Sequence, residues 1–286
     1  TPTATLNQPV ARRWHAAALG ADSKVYVCGG RLANNTASAT TAVYDPGADT
    51  WTTLPNMGVA RYAHTFTLLN TTLMAVGGEF GVVVLNDAEE FDPAGPSWTA
   101  TGVIQVPRQG HRAVRLASGD LFVVGGSTSL TSVAAVPSAL TDIWDGVAWS
   151  NGVPMNKARA NFGLSTPNAV DKVLAGFGDQ AAGTPYAEIY DPAGPNWTNI
   201  SDPIYTNARR YSTMTTMLTG SAVLVVGGRD TVNNGERPVA GAEYIDGAGW
   251  HATDDAQGTV SMFSSGVNVT RSASRLVKLT VPTGAN

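Results

Sequence analysis

The sequence predicts an all-β fold assembled from repeated four-stranded units. Three observations lead there. Four residue markers return five times in one fixed order. Each return falls about fifty residues after the last, the period of one class of four-stranded repeat. The apolar runs between the markers are short and end in glycines, and no stretch keeps the 3.6-residue period of an amphipathic helix.

The first marker is an arginine with a residue of interest three places on: Arg12 and His15, Arg61 and His64, Arg108 and His111, Arg159 and Phe162, Arg209 and Ser212. The second is an apolar run closed by glycine: VYVCGG at 25–30, LMAVGG at 73–78, LFVVGG at 121–126, KVLAGFG at 172–178 and AVLVVGG at 222–228. The third is an aromatic or apolar residue before aspartate: Tyr44-Asp45, Phe91-Asp92, Trp144-Asp145, Tyr190-Asp191 and Ile245-Asp246. The fourth is a tryptophan: Trp51, Trp98, Trp149, Trp197 and Trp250. The arginines are 49, 47, 51 and 50 residues apart and the tryptophans 47, 51, 48 and 53.

Each unit is expected to hold strands a to d. The run before the glycines is strand b. It is continuously apolar because both of its faces lie between neighbouring units. The glycines let the chain leave the strand with positive φ and close backbone approach. Asp-Pro at 45–46, 92–93 and 191–192 ends strand c, since proline cannot donate to a ladder. The tryptophan opens strand d and fills the gap between units.

These residues resemble the Kelch family over 11–250. The resemblance implies a β-propeller of four-stranded blades, a single domain over 1–286. Blade four departs with Gly-Phe-Gly at 176–178, and blades four and five lack the histidine. Five repeats span approximately 11–58, 59–105, 106–156, 157–206 and 207–256. Residues 1–10 and 251–286 together make 46, about one further blade. Val260–Val269 and Arg275–Val281 read as strands a and b of it, and 4–10 as its last strand. The expectation is six blades, with the sixth assembled from 257–286 and 1–10. The alternative is five blades and a C-terminal strand tail.

Composition narrows the function classes. The net charge is −4, and the lysines are Lys24, Lys157, Lys172 and Lys278. No basic run exists to neutralise phosphates, which argues against nucleic acid. No apolar stretch approaches the ~18 residues of a membrane span. Cys28 is the sole cysteine, so no intrachain disulfide forms. The start at Thr1, sequons at Asn34, Asn70, Asn196, Asn199 and Asn268, and the low lysine content suggest a secreted, cell-surface or periplasmic protein, and a monomer is expected.

Several residues look chemical but fit the repeat better. His15, His64 and His111 share one repeat position, and no carboxylate pattern accompanies them as it would accompany metal ligands. The repeated arginines and the acids Glu89, Asp142, Glu188 and Glu243 read as structural ion pairs. Copper oxidases of the galactose-oxidase type are similar to this fold and carry a propeller cysteine. Their chemistry also needs two tyrosines and two histidines, and here Tyr211 is followed by Ser212. Cys28 therefore reads as a buried thiol, and no metal, cofactor or catalytic residue is assigned.

The positions that break the repeat are the better candidates. In Kelch proteins the d–a and b–c loops open on a shared face. The residues one or two places after the repeat arginine are Arg13, Trp14, Tyr62, Gln109, Asn161, Arg210 and Tyr211. Those one place after the glycines are Arg31, Glu79, Ser127, Asp179 and Arg229. Aromatic faces with arginine and amide donors suit a small glycan or an acidic peptide or protein segment at the channel mouth. The long b–c loops at 31–41, 127–140 and 229–241 would shape that face. The alternatives are a sugar mutarotase like the Kelch-type sialic acid enzymes, with Glu79 or Asp179 as acid/base beside Arg31 and Arg229, and a purely structural module.

Overall fold

The computed structural model describes residues 11–166, 172–180, 187–200, 209–216, 223–227, 229–230, 237–238, 242–246, 249–252, 260–261, 268–271 and 277–280. Strand a of the first repeat is Ala16–Leu19, b is Val25–Cys28, c is Thr41–Asp45 and d is Thr50–Leu54. They pair antiparallel in the order a-b-c-d. The second repeat follows with Thr65–Leu68, Leu73–Phe80, Val83–Asp92 and Ser97–Val103, and the third with Arg112–Arg115, Leu121–Val124, Thr141–Trp144 and Trp149–Asn151. Both keep the same order.

The chain divides into two compact units. One holds Thr1–Phe162, Asp179–Gly183 and Ala193–Trp197; the other holds Gly163–Gly178, Thr184–Pro192 and Thr198–Asn286. In the second unit the fourth repeat lays Gly163–Ser165, Val173–Gly176 and Ala187–Asp191 side by side. The fifth repeat pairs Thr213–Thr216, Val223–Val226, Ala242–Asp246 and Gly249–Ala252 in the usual order. Beyond them lie three antiparallel strands, Val260–Ser261, Asn268–Arg271 and Val277–Thr280, where the sequence suggested two. The part of the composite sixth blade assigned to residues 1–10 lies outside the described residues.

Packing in the first unit explains the continuous apolarity of strand b. Leu73 and Ala75 join Tyr26, Cys28 and Phe66 in one core cluster, while Met74 and Val76 join Leu121, Val123 and Trp144 in the next. Alternate residues of one strand thus serve the repeats on either side. The tryptophans bridge repeats as expected. Trp98 Nε1 donates to Pro55 O at 3.0 Å, and Trp197 Nε1 to Val153 O at 2.9 Å. Strand c ends at Asp45 and Asp92, whose side chains also accept from the turn amides of Ala48 and Ala94. The aspartate therefore builds the turn as well as preceding the proline.

The repeat arginine is an internal strut. Arg61 Nη1 donates to Gly77 O at 2.9 Å, and Nη2 to Glu89 Oε1 at 2.6 Å and to Asp87. Arg108 Nη1 donates to Gly125 O at 3.2 Å and Leu140 O at 2.7 Å, and Nη2 to Asp142 Oδ2 at 2.6 Å. One guanidinium thus joins the first glycine after the apolar run of strand b to the acid of strand c. That acid in turn holds the end of the preceding repeat: Glu89 accepts from Gly58 N at 2.5 Å, and Asp142 from Gln105 N at 2.8 Å.

Candidate functional site

The segment after each repeat arginine folds back on the segment after strand b. Its backbone partners are Arg13 with Arg31, Tyr62 with Glu79, Gln109 with Ser127, Ala160 with Asp179, and Arg210 with Arg229. The next residue has positive φ in each: Trp14 56°, Ala63 55°, Gly110 60°, Asn161 51° and Tyr211 57°. In the first unit these residues form a ladder from repeat to repeat. Ala63 N donates to Trp14 O, Gly110 N to Ala63 O, and Asn161 N to Gly110 O, at 2.9, 3.1 and 2.9 Å. Side chains at this position therefore stand on a backbone pinned from both sides.

The close backbone approach requires the glycines. A Cβ on Gly78 would lie 2.6 Å from Tyr62 O, and Gly78 N donates to Arg108 O at 2.9 Å. That contact delivers Glu79 to its place beside Tyr62.

The structure gathers Arg13, Trp14, Arg31, Tyr62 and Glu79 into one cluster. The rings of Trp14 and Tyr62 stack with centroids 5.8 Å apart. The Arg31 guanidinium lies 5.8 Å from the Trp14 centroid and 5.3 Å from that of Tyr62, and Arg13 lies 5.0 Å from Trp14. Both arginines are steadied by the first b–c loop: Arg13 Nη2 donates to Asn35 Oδ1 at 3.0 Å, and Arg31 Nε to Asn35 O at 3.2 Å. Among the described residues no carboxylate forms an ion pair with either. Trp14 is 44% exposed, whereas Tyr62 is buried.

Glu79 is also buried, and its oxygens are engaged. It accepts from the Tyr62 hydroxyl, from Thr131 N at 2.7 Å and from Thr131 Oγ1 at 3.3 Å. Burial first, and then the Glu79 carboxylate, push the Tyr62 hydroxyl up to about 12. The carboxylate thus ties the third repeat's b–c loop to the second repeat.

The remaining candidates are placed differently. Gln109 and Ser127 are buried. Gln109 Nε2 donates to Ser129 O at 3.2 Å, and Ser127 Oγ accepts from Val136 N at 3.0 Å, so both shape the 127–137 loop from within. Asn161 Nδ2 donates to Asp179 Oδ2 at 2.8 Å. Tyr211 is 53% exposed. The side chains of Arg210 and Arg229 lie outside the described residues. Thr131 and Asn35 were not singled out in the sequence; the signal that pointed near them was the length of the b–c loops.

The histidines do not converge. His15 is exposed. His64 Nε2 lies 3.3 Å from Cys28 Sγ, and His111 Nε2 lies 3.0 Å from Thr65 Oγ1. Burial raises the Cys28 thiol above its usual range, the opposite of what a reactive thiolate needs. Among the described residues no group of three or more histidine, cysteine, aspartate or glutamate side chains is arranged to hold a metal ion. No helix among them is long and apolar enough to cross a membrane.

A family profile, the KLHDC2/KLHL20/DRC7 Kelch-repeats domain, matches residues 1–165. Alpha-scruin of Limulus polyphemus is 31% identical over 53% of this chain and 17% of its own length. Human Kelch-like protein 34 is 30% identical over 64% of this chain and 29% of its own. The chain therefore spans less than a third of either relative. A solved structure of YjhT superposes with a TM-score of 0.67, at 13% identity, covering 85% of this chain and 84% of that one.

Proposed function

The chain belongs to the Kelch-repeat family, and from that premise we propose that it is a non-catalytic binding module that takes a carboxylate-bearing ligand, an acidic peptide or glycan, on its d–a and b–c loop face. One observation carries the reading. Two guanidiniums, Arg13 and Arg31, are held against the Trp14 and Tyr62 rings, and among the described residues no acid pairs with either. Arginine stacked on aromatic rings keeps its in-plane N–H groups available for a carboxylate. Glu79 is read as a brace for that surface, since its acceptors are taken by Tyr62 and Thr131. The same reading keeps six repeats, with the three strands in 260–280 as most of the last.

The test is calorimetric titration with N-acetylneuraminate, glucuronate, their neutral counterparts and glutamate-containing peptides against glutamine-containing ones. Acid-bearing ligands are expected to bind, and Arg31→Ala to weaken them about tenfold or more, the loss of one charge-assisted contact. Equal binding of acidic and neutral forms, or an Arg31→Ala protein that binds unchanged, would overturn the proposal.

A further inference from the structure

The residue four places after the repeat arginine opens strand a, and it differs from copy to copy: Ala16, Thr65, Arg112, Gly163 and Thr213. In the second repeat it serves the next one, with Thr65 Oγ1 3.0 Å from His111 Nε2. The third repeat has a guanidinium at this place. Arg112 pairs across the strands with Val124, and Ala113 with Val123. Ala113 and Val123 belong to the core cluster shared with the second repeat. Strand alternation therefore turns Arg112 the other way. Phe122 lies on that same face and stacks on Trp197, and Arg112 Nε donates to Phe162 O at 2.7 Å.

A guanidinium carries five N–H groups. Phe162 takes the one on Nε, and those on Nη1 and Nη2 meet no hydrogen-bond partner and no acid among the described residues. Arg112 is half-buried. The repeat arginines differ, since Arg61 reaches Glu89 and Arg108 reaches Asp142. Ionisation shows the same contrast. Burial lowers both Arg108 and Arg112 from the ordinary value; Asp142 works against it at Arg108, and no acid does so at Arg112. The neighbouring strands hold no acid either. Strands a of the first three repeats lie side by side and read Ala-Ala-Ala-Leu, Thr-Phe-Thr-Leu and Arg-Ala-Val-Arg. A half-buried charge without a counter-charge is costly, so the site calls for an anion that these strands do not supply.

We propose that Arg112 anchors a binding site for one small inorganic oxyanion, phosphate or sulfate, separate from the surface that carries Arg13 and Arg31. The two Nη groups lie in one plane and offer parallel N–H bonds to two oxygens of such an ion. The bond from Nε to Phe162 O sets that plane before the ion arrives. Arg112 is set in a strand rather than displayed on a loop. A compact ion suits that place better than a peptide carboxylate, which must bring its own backbone with it.

The probe is radiolabelled phosphate in equilibrium dialysis against the whole chain, with sulfate as competitor. One phosphate per chain is expected at Arg112, displaced by sulfate. Arg112→Gln should abolish it. Arg112→Lys keeps the charge but not the fork and should weaken it about tenfold; it serves if the glutamine variant fails to fold. Arg31→Ala should leave this phosphate in place, and any further phosphate on the loop surface should be lost with Arg31→Ala instead. The melting temperature gives a second readout. Binding raises it along a curve that saturates and that Arg112→Gln lacks, whereas exclusion of phosphate from the protein surface raises it in both proteins alike. Absence of bound phosphate, or a phosphate that both Arg112 variants hold at full strength, would overturn the inference. Loss in Arg31→Ala but not in Arg112→Gln would overturn it too and move the ion to the loop surface. Failure of the carboxylate ligands in the calorimetric titration leaves it standing, because the two sites share no residue.

Discussion

His64 and His111 are fully enclosed, and their neutral form is the one the fold accepts. Burial, and after it the neighbouring Arg61, holds His64 well below its ordinary value; burial and Arg108 bring His111 down to about 3. In the unfolded chain both titrate near 6.5. Below that value the unfolded state binds protons that the folded state refuses, so stability is complete above about pH 6.5 and falls toward pH 3. The slope is at most about 1.4 kcal/mol per pH unit for each histidine. Urea midpoints should therefore drop between pH 7.5 and 5. His111→Gln should start less stable at pH 7.5 and lose less on acidification; an unchanged acid dependence would contradict the assignment. Phe177 poses a different balance. It stands at φ 63° where the other repeats have the first glycine of a pair, and it is buried in the core cluster of the second unit. A left-handed non-glycine residue costs roughly 1–2 kcal/mol, while emptying a buried phenylalanine site costs about 3–5 kcal/mol. Burial wins, so Phe177→Gly should destabilise by about 2 kcal/mol in chemical denaturation despite restoring the repeat's own residue.

At the scale of the element, strand d shows how a repeated residue differs in worth from copy to copy. Trp98 donates its indole N–H to the preceding repeat at Pro55 O, but the equivalent atom of Trp149 is buried without a hydrogen-bond partner among the described residues. Both rings pack on an aromatic of strand c, Phe91 and Trp144 respectively. Trp98→Phe should therefore cost about 1 kcal/mol more than Trp149→Phe, the net value of one hydrogen bond; equal losses in melting experiments would show that the bond adds nothing. The strands were legible in the sequence because each marker acts locally or on an adjacent repeat: the apolar run, the glycine exit and the Asp-Pro stop. The arginine–acid pairing was legible because both partners recur at one period. The clamp of Thr131 on Glu79 was not, since it joins residues 52 apart and, among the described residues, occurs in one repeat alone. Neither was the β-bulge between Val76 and Gly78, which resets the alternation that places Phe80 and Glu79 on opposite faces. Such single-copy features have no period to expose them, and the candidate site is built from them.

For the whole molecule, the informative quantity is the strand count of the last sheet. The first five repeats each form four-stranded sheets, and the sheet of Val260–Ser261, Asn268–Arg271 and Val277–Thr280 has three strands among the described residues. A sheet edge that no segment covers favours aggregation. Under the six-repeat reading, residues 1–10 supply a fourth strand. Deleting 1–10 and deleting 257–286 then remove two halves of one element. Each should lower the melting temperature and cause concentration-dependent aggregation in light scattering. The two losses should also fail to add: once one half is gone the other has nothing to pair with, so the double deletion should be little worse than the more damaging single one. The five-repeat reading expects the opposite pattern, with independent terminal segments whose removal leaves the melting temperature unchanged or whose small effects sum. The double deletion separates the readings even if every truncated chain is less soluble, because it is the additivity of the three melting shifts that distinguishes one shared blade from two separate tails.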